Sequence, residues 1–129
     1  MRTIMISKDP ELLMLKDNAS LISDEPIKVC DESNDPLDVM STVCEQNPSI
    51  LIIDDDFLHP ETVHVLKSIR KVNKSIKIIF VTSNASIDLG KEISPLGIYY
   101  YAIKPLDTNE LLDSFQAVVK EHNKETLNV

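Results

Sequence analysis

The chain has 129 residues, of which 43% are hydrophobic and 26% charged, and its formal net charge is −8. This length suits a single globular domain, and the composition is too apolar for a disordered chain. The negative charge argues against direct binding to nucleic acid or anionic membranes, whose phosphates attract basic surfaces. No apolar run approaches a membrane span, and residues 1–10 lack the pattern of a signal peptide. Two cysteines are too few for a disulfide framework, which favours a reduced, cytoplasmic location.

Five short apolar segments indicate buried β-strands. The third and fourth are nearly continuous in Ile, Leu, Val and Phe, a pattern typical of strands that helices cover on both faces. The predicted strands are Thr3–Ile6, Ile27–Cys30, Ile50–Ile53, Ile76–Val81 and Ile98–Ile103.

The segments between these strands contain helix-start signals. Asp9 followed by Pro10 has the pattern of an N-cap and a first helical residue, and Asp35 followed by Pro36 repeats it. Pro60 is predicted to open the third helix. Apolar residues at helical spacing follow each of the three signals, which predicts one amphipathic helix after each of the first three strands.

The last two helices are predicted with unequal clarity. Residues 85–96 have the weaker pattern, because a glycine and a proline interrupt it. Asp107 and Glu110 resemble a capping box ahead of a long helix with an apolar face. The polar segment 123–129 is interpreted as a tail or the start of a linker, which leaves 1–122 as the domain.

Strands alternating with helices predict an α/β fold with a doubly wound, five-stranded parallel sheet and five helices. In such sheets ligands bind beyond the carboxyl ends of the strands. The polar residues at those ends are Ser7, Lys8, Asp9, Asp54, Asp55, Asp56, Thr82, Ser83 and Lys104.

A carboxylate, a hydroxyl and an ammonium group from three strand ends suit phosphoryl chemistry. The Asp54 carboxylate is a candidate nucleophile that would become an aspartyl phosphate. Thr82 and Lys104 would hold the phosphoryl oxygens as negative charge spreads over them.

On these residues the chain resembles the receiver domains of two-component response regulators, which have a flavodoxin-like fold. Residues 48–54 are similar to the receiver's third strand, and the resemblance makes Asp54 the phosphoacceptor. Thr82 falls at the switch hydroxyl of the fourth strand, and Tyr101 at the switch aromatic of the fifth. Lys104 and Pro105 match the phosphate-binding lysine and its proline, which implies a cis peptide bond between them.

The resemblance fails at the first strand. Receivers have two acidic residues there that bind Mg²⁺ together with the phosphoacceptor, whereas this chain has Ser7 and Lys8. Mg²⁺ binding is therefore doubtful, and its candidate ligands are Asp54, the backbone of Asp56 and Asp9. Lys8 is expected to pair with Asp54 in place of the cation, with an attraction of about 4 kcal/mol at 4 Å and an effective dielectric near 20.

Structural interpretations compete with these functional ones. Asp9 is explained by its N-cap role, and Asp55 and Asp56 are expected to be solvated loop carboxylates. Considered by itself, Lys104 has the pattern of a surface lysine. Tyr99–Tyr101 are expected to alternate between core packing and an exposed contact surface. Both cysteines, Cys30 and Cys44, are expected to be buried.

Two functions follow from the resemblance. In the first, Asp54 takes a phosphoryl group from a histidine kinase or phosphotransfer protein. A surface on the Tyr99–Tyr101 strand and the last two helices then changes its binding of a downstream protein or a second copy. In the alternative, the domain is an atypical receiver that binds a partner without phosphorylation, with Lys8 in place of the metal-binding acid.

Two other functions are less well matched, and no enzymatic turnover is expected. Asp54 and Asp56 form the DxD of a haloacid dehalogenase-type phosphatase, but that motif follows the first core strand in those enzymes. Their further acidic pair is also missing. A flavin or nucleotide site would need a loop rich in small residues after the first strand, where this chain has Ser7-Lys8-Asp9-Pro10-Glu11.

Overall fold

The computed structural model describes residues 1–19, 22–23 and 25–127, and five strands in this part of the chain form one parallel sheet in the order β2-β1-β3-β4-β5. The strands are β1 (Thr3–Ile6), β2 (Lys28–Cys30), β3 (Ile50–Asp54), β4 (Lys77–Thr82) and β5 (Ile98–Ile103). The α-helices are α1 (Pro10–Ala19), α2 (Pro36–Gln46), α3 (Asp55–Leu58), α4 (Thr62–Val72), α5 (Ile87–Ile93) and α6 (Thr108–Leu127). A 3₁₀ turn, Ser94–Leu96, follows α5.

The predicted fold class is confirmed, with one additional helix. β3 and β4 each extend one residue beyond the predicted end, to Asp54 and Thr82, because both residues still pair with the neighbouring strand. The short helix α3 begins directly after β3. Polar strand ends and a short helix leave little apolar signal, so hydrophobic patterning did not locate them.

Two hydrophobic clusters cover the two faces of the sheet. In β3, Leu51 and Ile53 belong to one cluster, and Ile50 and Ile52 belong to the other. All four side chains are fully buried. Burial on both faces explains the continuous apolar run of this strand and fixes the direction of the residue that ends it, Asp54.

The predicted N-caps are present. The side chains of Asp9, Asp35 and Asp107 accept hydrogen bonds from backbone N–H groups two or three residues further on, at 2.8–3.1 Å. These bonds satisfy amides that have no partner inside the helix. The caps of α1 and α6 also fix the backbone on either side of the strand-end pocket.

The prediction that Pro60 opens the third helix was wrong. Asp54 caps the separate turn α3, and Pro60 lies in the following turn after a cis peptide bond with His59. The longer helix, α4, begins only at Thr62. Proline is common at first helical positions, but it is equally suited to turns, and the sequence did not separate the two.

The last helix continues past the predicted domain boundary. Helix α6 is helical through Leu127, so the predicted tail 123–129 is helical as far as the described residues reach. The Lys77 ammonium lies 2.9 Å from the Glu125 carboxylate, which connects this end of α6 to β4. No helix in residues 1–19, 22–23 and 25–127 is long and apolar enough to cross a membrane.

Two expectations about burial were wrong. Cys44 is exposed and Cys30 is only partly buried. Helix α2 buries Val39 and Val43, and the residue after Val43 is turned about 100° away, toward solvent.

The tyrosine strand does not alternate regularly. Ile98 pairs with Ile78 and Tyr100 with Ile79, so Tyr99 is the extra residue of a bulge. Tyr99 is 43% exposed, while Tyr100 and Tyr101 pack against the clusters on opposite faces of the sheet.

Candidate functional site

Four of the predicted site residues meet at the carboxyl edge of the sheet. Ser7 follows β1, Asp54 ends β3, Thr82 ends β4 and Lys104 follows β5. Ser7, Asp54 and Thr82 are buried, and Asp54 is only 2% exposed. The neighbouring positions of β1, β3 and β4 in the sheet explain why residues so far apart in sequence form one pocket.

Lys104 is the centre of this pocket. Its ammonium nitrogen lies 2.6 Å from Asp9 Oδ2, 3.0 Å from Asp54 Oδ1 and 2.9 Å from Asp56 Oδ2. Burial alone would lower the pKa of Lys104, but hydrogen bonds to the three carboxylates outweigh burial and raise the pKa above its usual value. Lys104 is therefore a permanent cation among three acids.

The backbone holds Lys104 in place. Its amide donates to the carbonyl of Thr82 at 2.8 Å. The peptide bond between Lys104 and Pro105 is cis, as the sequence predicted. The end of β5 is thereby fixed to the end of β4, with the lysine side chain directed toward β3.

Asp54 has donors on both carboxylate oxygens. Oδ1 accepts from Lys104 at 3.0 Å and from the Asp56 amide at 3.1 Å. Oδ2 accepts from the Ser7 hydroxyl at 2.7 Å, and that hydroxyl oxygen in turn accepts from the Asp9 amide at 2.9 Å. Ser7, which the resemblance places at the position of a receiver acid, thus hydrogen-bonds the predicted phosphoacceptor.

The prediction that Asp55 is a solvated loop carboxylate was wrong. Asp55 is 4% exposed, and its Oδ2 accepts a 2.7 Å hydrogen bond from the Thr82 hydroxyl. Burial raises the pKa of Tyr101, and the negative charge of Asp55 raises it further. Asp55 therefore acts on both residues that the resemblance assigns to the switch.

Asp56 is exposed, as expected, but it is not simply solvated. Its Oδ1 accepts from the Ser83 hydroxyl at 2.6 Å, and its Oδ2 lies 2.9 Å from Lys104. Burial alone would raise the pKa of Asp56, but the bonds from Ser83 and Lys104 prevail and hold this pKa below its usual value.

The expected pair between Lys8 and Asp54 is absent. The Lys8 ammonium instead lies 5.8 Å from the centroid of the Phe57 ring, a cation–π arrangement. Consecutive residues at a strand end point in opposite directions, so the inward position belongs to Ser7 and Lys8 is exposed. Lys104, and not Lys8, is the cation that pairs with Asp54.

Comparisons with known proteins identify the family of this chain. The sequence profile described as "Response regulator receiver domain" matches residues 4–116. The chain belongs to the response regulator receiver family. This match begins in β1 and ends within α6, so it includes every strand-end residue of the pocket.

Individual receiver proteins have low sequence identity to this chain. Chemotaxis protein CheY of Treponema pallidum is 23% identical over 114 residues, which cover 87% of this chain and 79% of that protein. Sporulation initiation phosphotransferase F of Bacillus subtilis is 23% identical over 78 residues, which cover 60% of this chain and 63% of that protein. A CheY-like receiver domain protein from Methanospirillum hungatei has a TM-score of 0.77 at 18% identity, with coverage of 96% of this chain and 97% of that one, and it shows the same fold.

The receiver family implies a divalent cation at this pocket. All six carboxylate oxygens of Asp9, Asp54 and Asp56 already have hydrogen-bond or ionic partners, and the ammonium of Lys104 is at their point of convergence. In the described part of the chain, no group of three His, Cys, Asp or Glu side chains is arranged to hold a metal ion. A cation would have to displace Lys104, so the residues as arranged do not fit Mg²⁺, and its binding stays a prediction.

Proposed function

We propose that this receiver domain accepts a phosphoryl group on Asp54 from the phosphohistidine of a histidine kinase or phosphotransfer protein. The contact that supports this role is the 3.0 Å approach of the Lys104 ammonium to Asp54 Oδ1. The pair combines a nucleophilic carboxylate with a fixed cation beside the position where negative charge increases during transfer.

The reaction would use groups already present in the pocket. A carboxylate oxygen of Asp54 attacks phosphorus, the bond between phosphorus and the donor imidazole nitrogen breaks, and an acyl phosphate forms. Lys104 would stabilise the phosphoryl oxygens. Because Ser7 donates to Oδ2 at 2.7 Å, that oxygen must give up or share its hydrogen bond if it is the nucleophile.

Intact-mass measurement after incubation with acetyl phosphate tests this role, in parallel samples with Mg²⁺ and with a chelator. A gain of one phosphoryl group that Asp54→Asn abolishes is the expected result. The matched control is Asp35→Asn, which changes the N-cap of α2 at a distance from the pocket and leaves uptake intact. Equal uptake by the wild type and Asp54→Asn would contradict the proposal.

A second candidate is a receiver that binds its partner without phosphorylation. The observation that favours it is the complete pairing of the Asp9, Asp54 and Asp56 oxygens, with Lys104 as the internal cation. With all these carboxylate oxygens paired, the pocket would hold one conformation and resist an incoming phosphoryl group. The sequence predicted Lys8 as the internal cation of this state, but Lys8 is exposed over Phe57 and Lys104 is the cation beside Asp54.

Hydrogen exchange separates the two candidates. If Asp54 is a working phosphoacceptor, acetyl phosphate changes amide exchange in β5 and α6. If the domain is constitutive, both elements exchange at the same rate with and without acetyl phosphate, and the mass does not change.

The partner surface is proposed to include β5. This edge strand exposes Tyr99 at 43% and Ile103 at 46%, next to α6 and close to the pocket. Aromatic side chains are enriched at protein interfaces. A downstream protein or a second copy of this chain would bind there, and Tyr99→Ala would weaken that binding.

Enzymatic turnover is not part of this proposal. A phosphatase of the haloacid dehalogenase type needs a further acidic pair beyond the lysine, and Asp107, the first acid after Lys104, is used as the N-cap of α6. A screen with a chromogenic phosphate monoester checks this point, and no hydrolysis above the Asp54→Asn level is expected.

A further inference from the structure

A buried carboxylate next to the phosphoacceptor has no role in the chemistry described above. Asp55 follows Asp54 in the chain, is 4% exposed and accepts a 2.7 Å hydrogen bond from the Thr82 hydroxyl. Burial of a charge is costly unless it is hydrogen-bonded, so this contact is strongly favoured.

The one proton of the Thr82 hydroxyl is already used in this arrangement. Its single proton is directed to Asp55, and its oxygen accepts a 2.9 Å hydrogen bond from the Asn84 amide. A hydroxyl has only one proton to donate. Thr82 therefore has none left for a phosphoryl oxygen on Asp54.

The backbone of Asp55 is held in place. The Asp55 carbonyl accepts from the His59 amide at 2.7 Å and from the Thr62 hydroxyl at 3.4 Å. These contacts connect α3 to the start of α4 and fix the backbone from which the Asp55 side chain extends toward Thr82.

The charge of Asp55 also faces the aromatic side of the pocket. The Tyr101 and Phe80 rings pack with centroids 5.0 Å apart, and burial, together with the negative charge of Asp55, raises the pKa of the Tyr101 phenol. One carboxylate thus acts on Thr82 at the end of β4 and on Tyr101 within β5.

We propose that Asp55 is a positioning residue that reserves the Thr82 hydroxyl and withholds it from a phosphoryl group on Asp54. This inference rests on the proposed phosphoacceptor role of Asp54. It predicts slow phosphoryl uptake in the wild type, because Thr82 must leave a buried carboxylate before it can assist.

A double-mutant cycle tests the effect on phosphoryl uptake. With acetyl phosphate as donor, Asp55→Ala is expected to take up phosphoryl about ten- to a hundred-fold faster than the wild type, the range of a hydrogen bond to a charged group. In a Thr82→Ala background, Asp55→Ala should increase the uptake rate much less. Any increase that persists there measures the effect of the removed negative charge alone. The matched control is a Ser83→Ala background, which lacks the neighbouring hydroxyl. In this background Asp55→Ala should increase the uptake rate as much as it does in the wild type. An equal gain with and without Thr82 would overturn the inference.

Exchange of the Asn84 amide is a second readout that needs no phosphorylation. Because this amide donates to the Thr82 hydroxyl oxygen, freeing Thr82 in Asp55→Ala should speed its exchange at least about ten-fold. An unchanged Asn84 rate overturns the inference whatever the uptake. Faster Asn84 exchange without phosphoryl uptake in any variant supports the reserved hydroxyl and contradicts the proposed phosphoacceptor role instead.

Discussion

The Ser7 hydroxyl donates a 2.7 Å hydrogen bond to Asp54 Oδ2, which joins the ends of two neighbouring strands inside the domain. Serine stands where the receiver family has an acid, and the neutral side chain changes the electrostatics of the pocket. An acid at this position would place a second negative charge against Asp54, whereas Ser7 supplies a proton. The substitution therefore makes the pocket stable with Lys104 as its cation.

Substitutions of Ser7 test this relationship. Ser7→Ala leaves one oxygen of a buried carboxylate without its donor, and we expect a loss of about 1–3 kcal/mol in the free energy of unfolding. Ser7→Asp adds a like charge at the same place and should cost more in the presence of a chelator. Urea denaturation measures both. A Ser7→Asp variant as stable as the wild type without divalent cations would contradict the argument.

Removal of the Lys104 ammonium should be among the most harmful changes to this pocket. Lys104→Met leaves Asp9, Asp54 and Asp56 without their shared cation, and its side chain is only 14% exposed. We expect a loss of about 2–3 kcal/mol at pH 7, somewhat below that of a fully buried ion pair. Because Lys104 helps to lower the pKa of Asp56, the difference in stability from the wild type should shrink as the pH falls through that lowered pKa.

The matched control for Lys104→Met is Lys8→Met. Lys8 is exposed and contacts the Phe57 ring rather than a carboxylate, so its loss should cost less than about 1 kcal/mol. If urea denaturation shows the same loss in the free energy of unfolding for both variants, the three ion pairs of Lys104 stabilise the fold no more than a surface contact does.

The acid dependence of stability should report on Asp56. Its pKa is lower in the folded protein than in the unfolded chain, so the folded state binds fewer protons. The stabilisation is therefore present above about pH 4 and disappears as the pH falls through the lowered pKa. The melting-temperature gap between the wild type and Asp56→Asn should be constant from about pH 5 to 8 and shrink below about pH 4.

Ser83→Ala provides the comparison for that titration. It removes the 2.6 Å hydrogen bond that helps to lower the pKa of Asp56, so the gap should be smaller at neutral pH and its loss on acidification should be complete at a higher pH. A gap of unchanged size that is lost over the same pH range would show that Ser83 does not contribute to the lowered pKa.

The sheet and the positions of Asp54, Thr82 and Lys104 were predictable from sequence because continuous apolar strands and the residues that end them leave a local pattern. The same holds for the N-cap of Asp9. Its contact with Lys104 was not predictable, since that contact depends on how two distant strand ends lie in space.

The errors around Asp55 and Lys8 have a common cause. Charge and sequence position suggest exposure for Asp55 and a pocket role for Lys8, but the direction of each side chain depends on the backbone after the strand. The turn α3 directs Asp55 inward to Thr82. The run of three aspartates at the end of a buried strand was a usable signal for a buried carboxylate. Because the third strand is fully buried, the residues that come directly after it lie at the edge of the core.

Arg70 connects α4 to the segments before β4 and β5. Its guanidinium donates to the carbonyl oxygens of Ile76 at 2.6 Å, Leu96 at 2.7 Å and Gly97 at 2.9 Å. Gly97 has a φ of 72°, a left-handed conformation that favours glycine and turns its carbonyl toward Arg70. Arg70 thereby fixes the start of β5, the strand that Lys104 follows.

Lysine cannot replace this planar set of donors, because its three protons are on one nitrogen atom. Arg70→Lys should leave at least one of the carbonyls unpaired and lower the free energy of unfolding by about 2–3 kcal/mol, as measured by urea denaturation. The adjacent Lys71 is exposed, and Lys71→Ala should change stability by no more than about 0.5 kcal/mol. If Arg70→Lys is equally mild, a single cation near these carbonyls is sufficient, and the planar geometry of the guanidinium does not stabilise the turn.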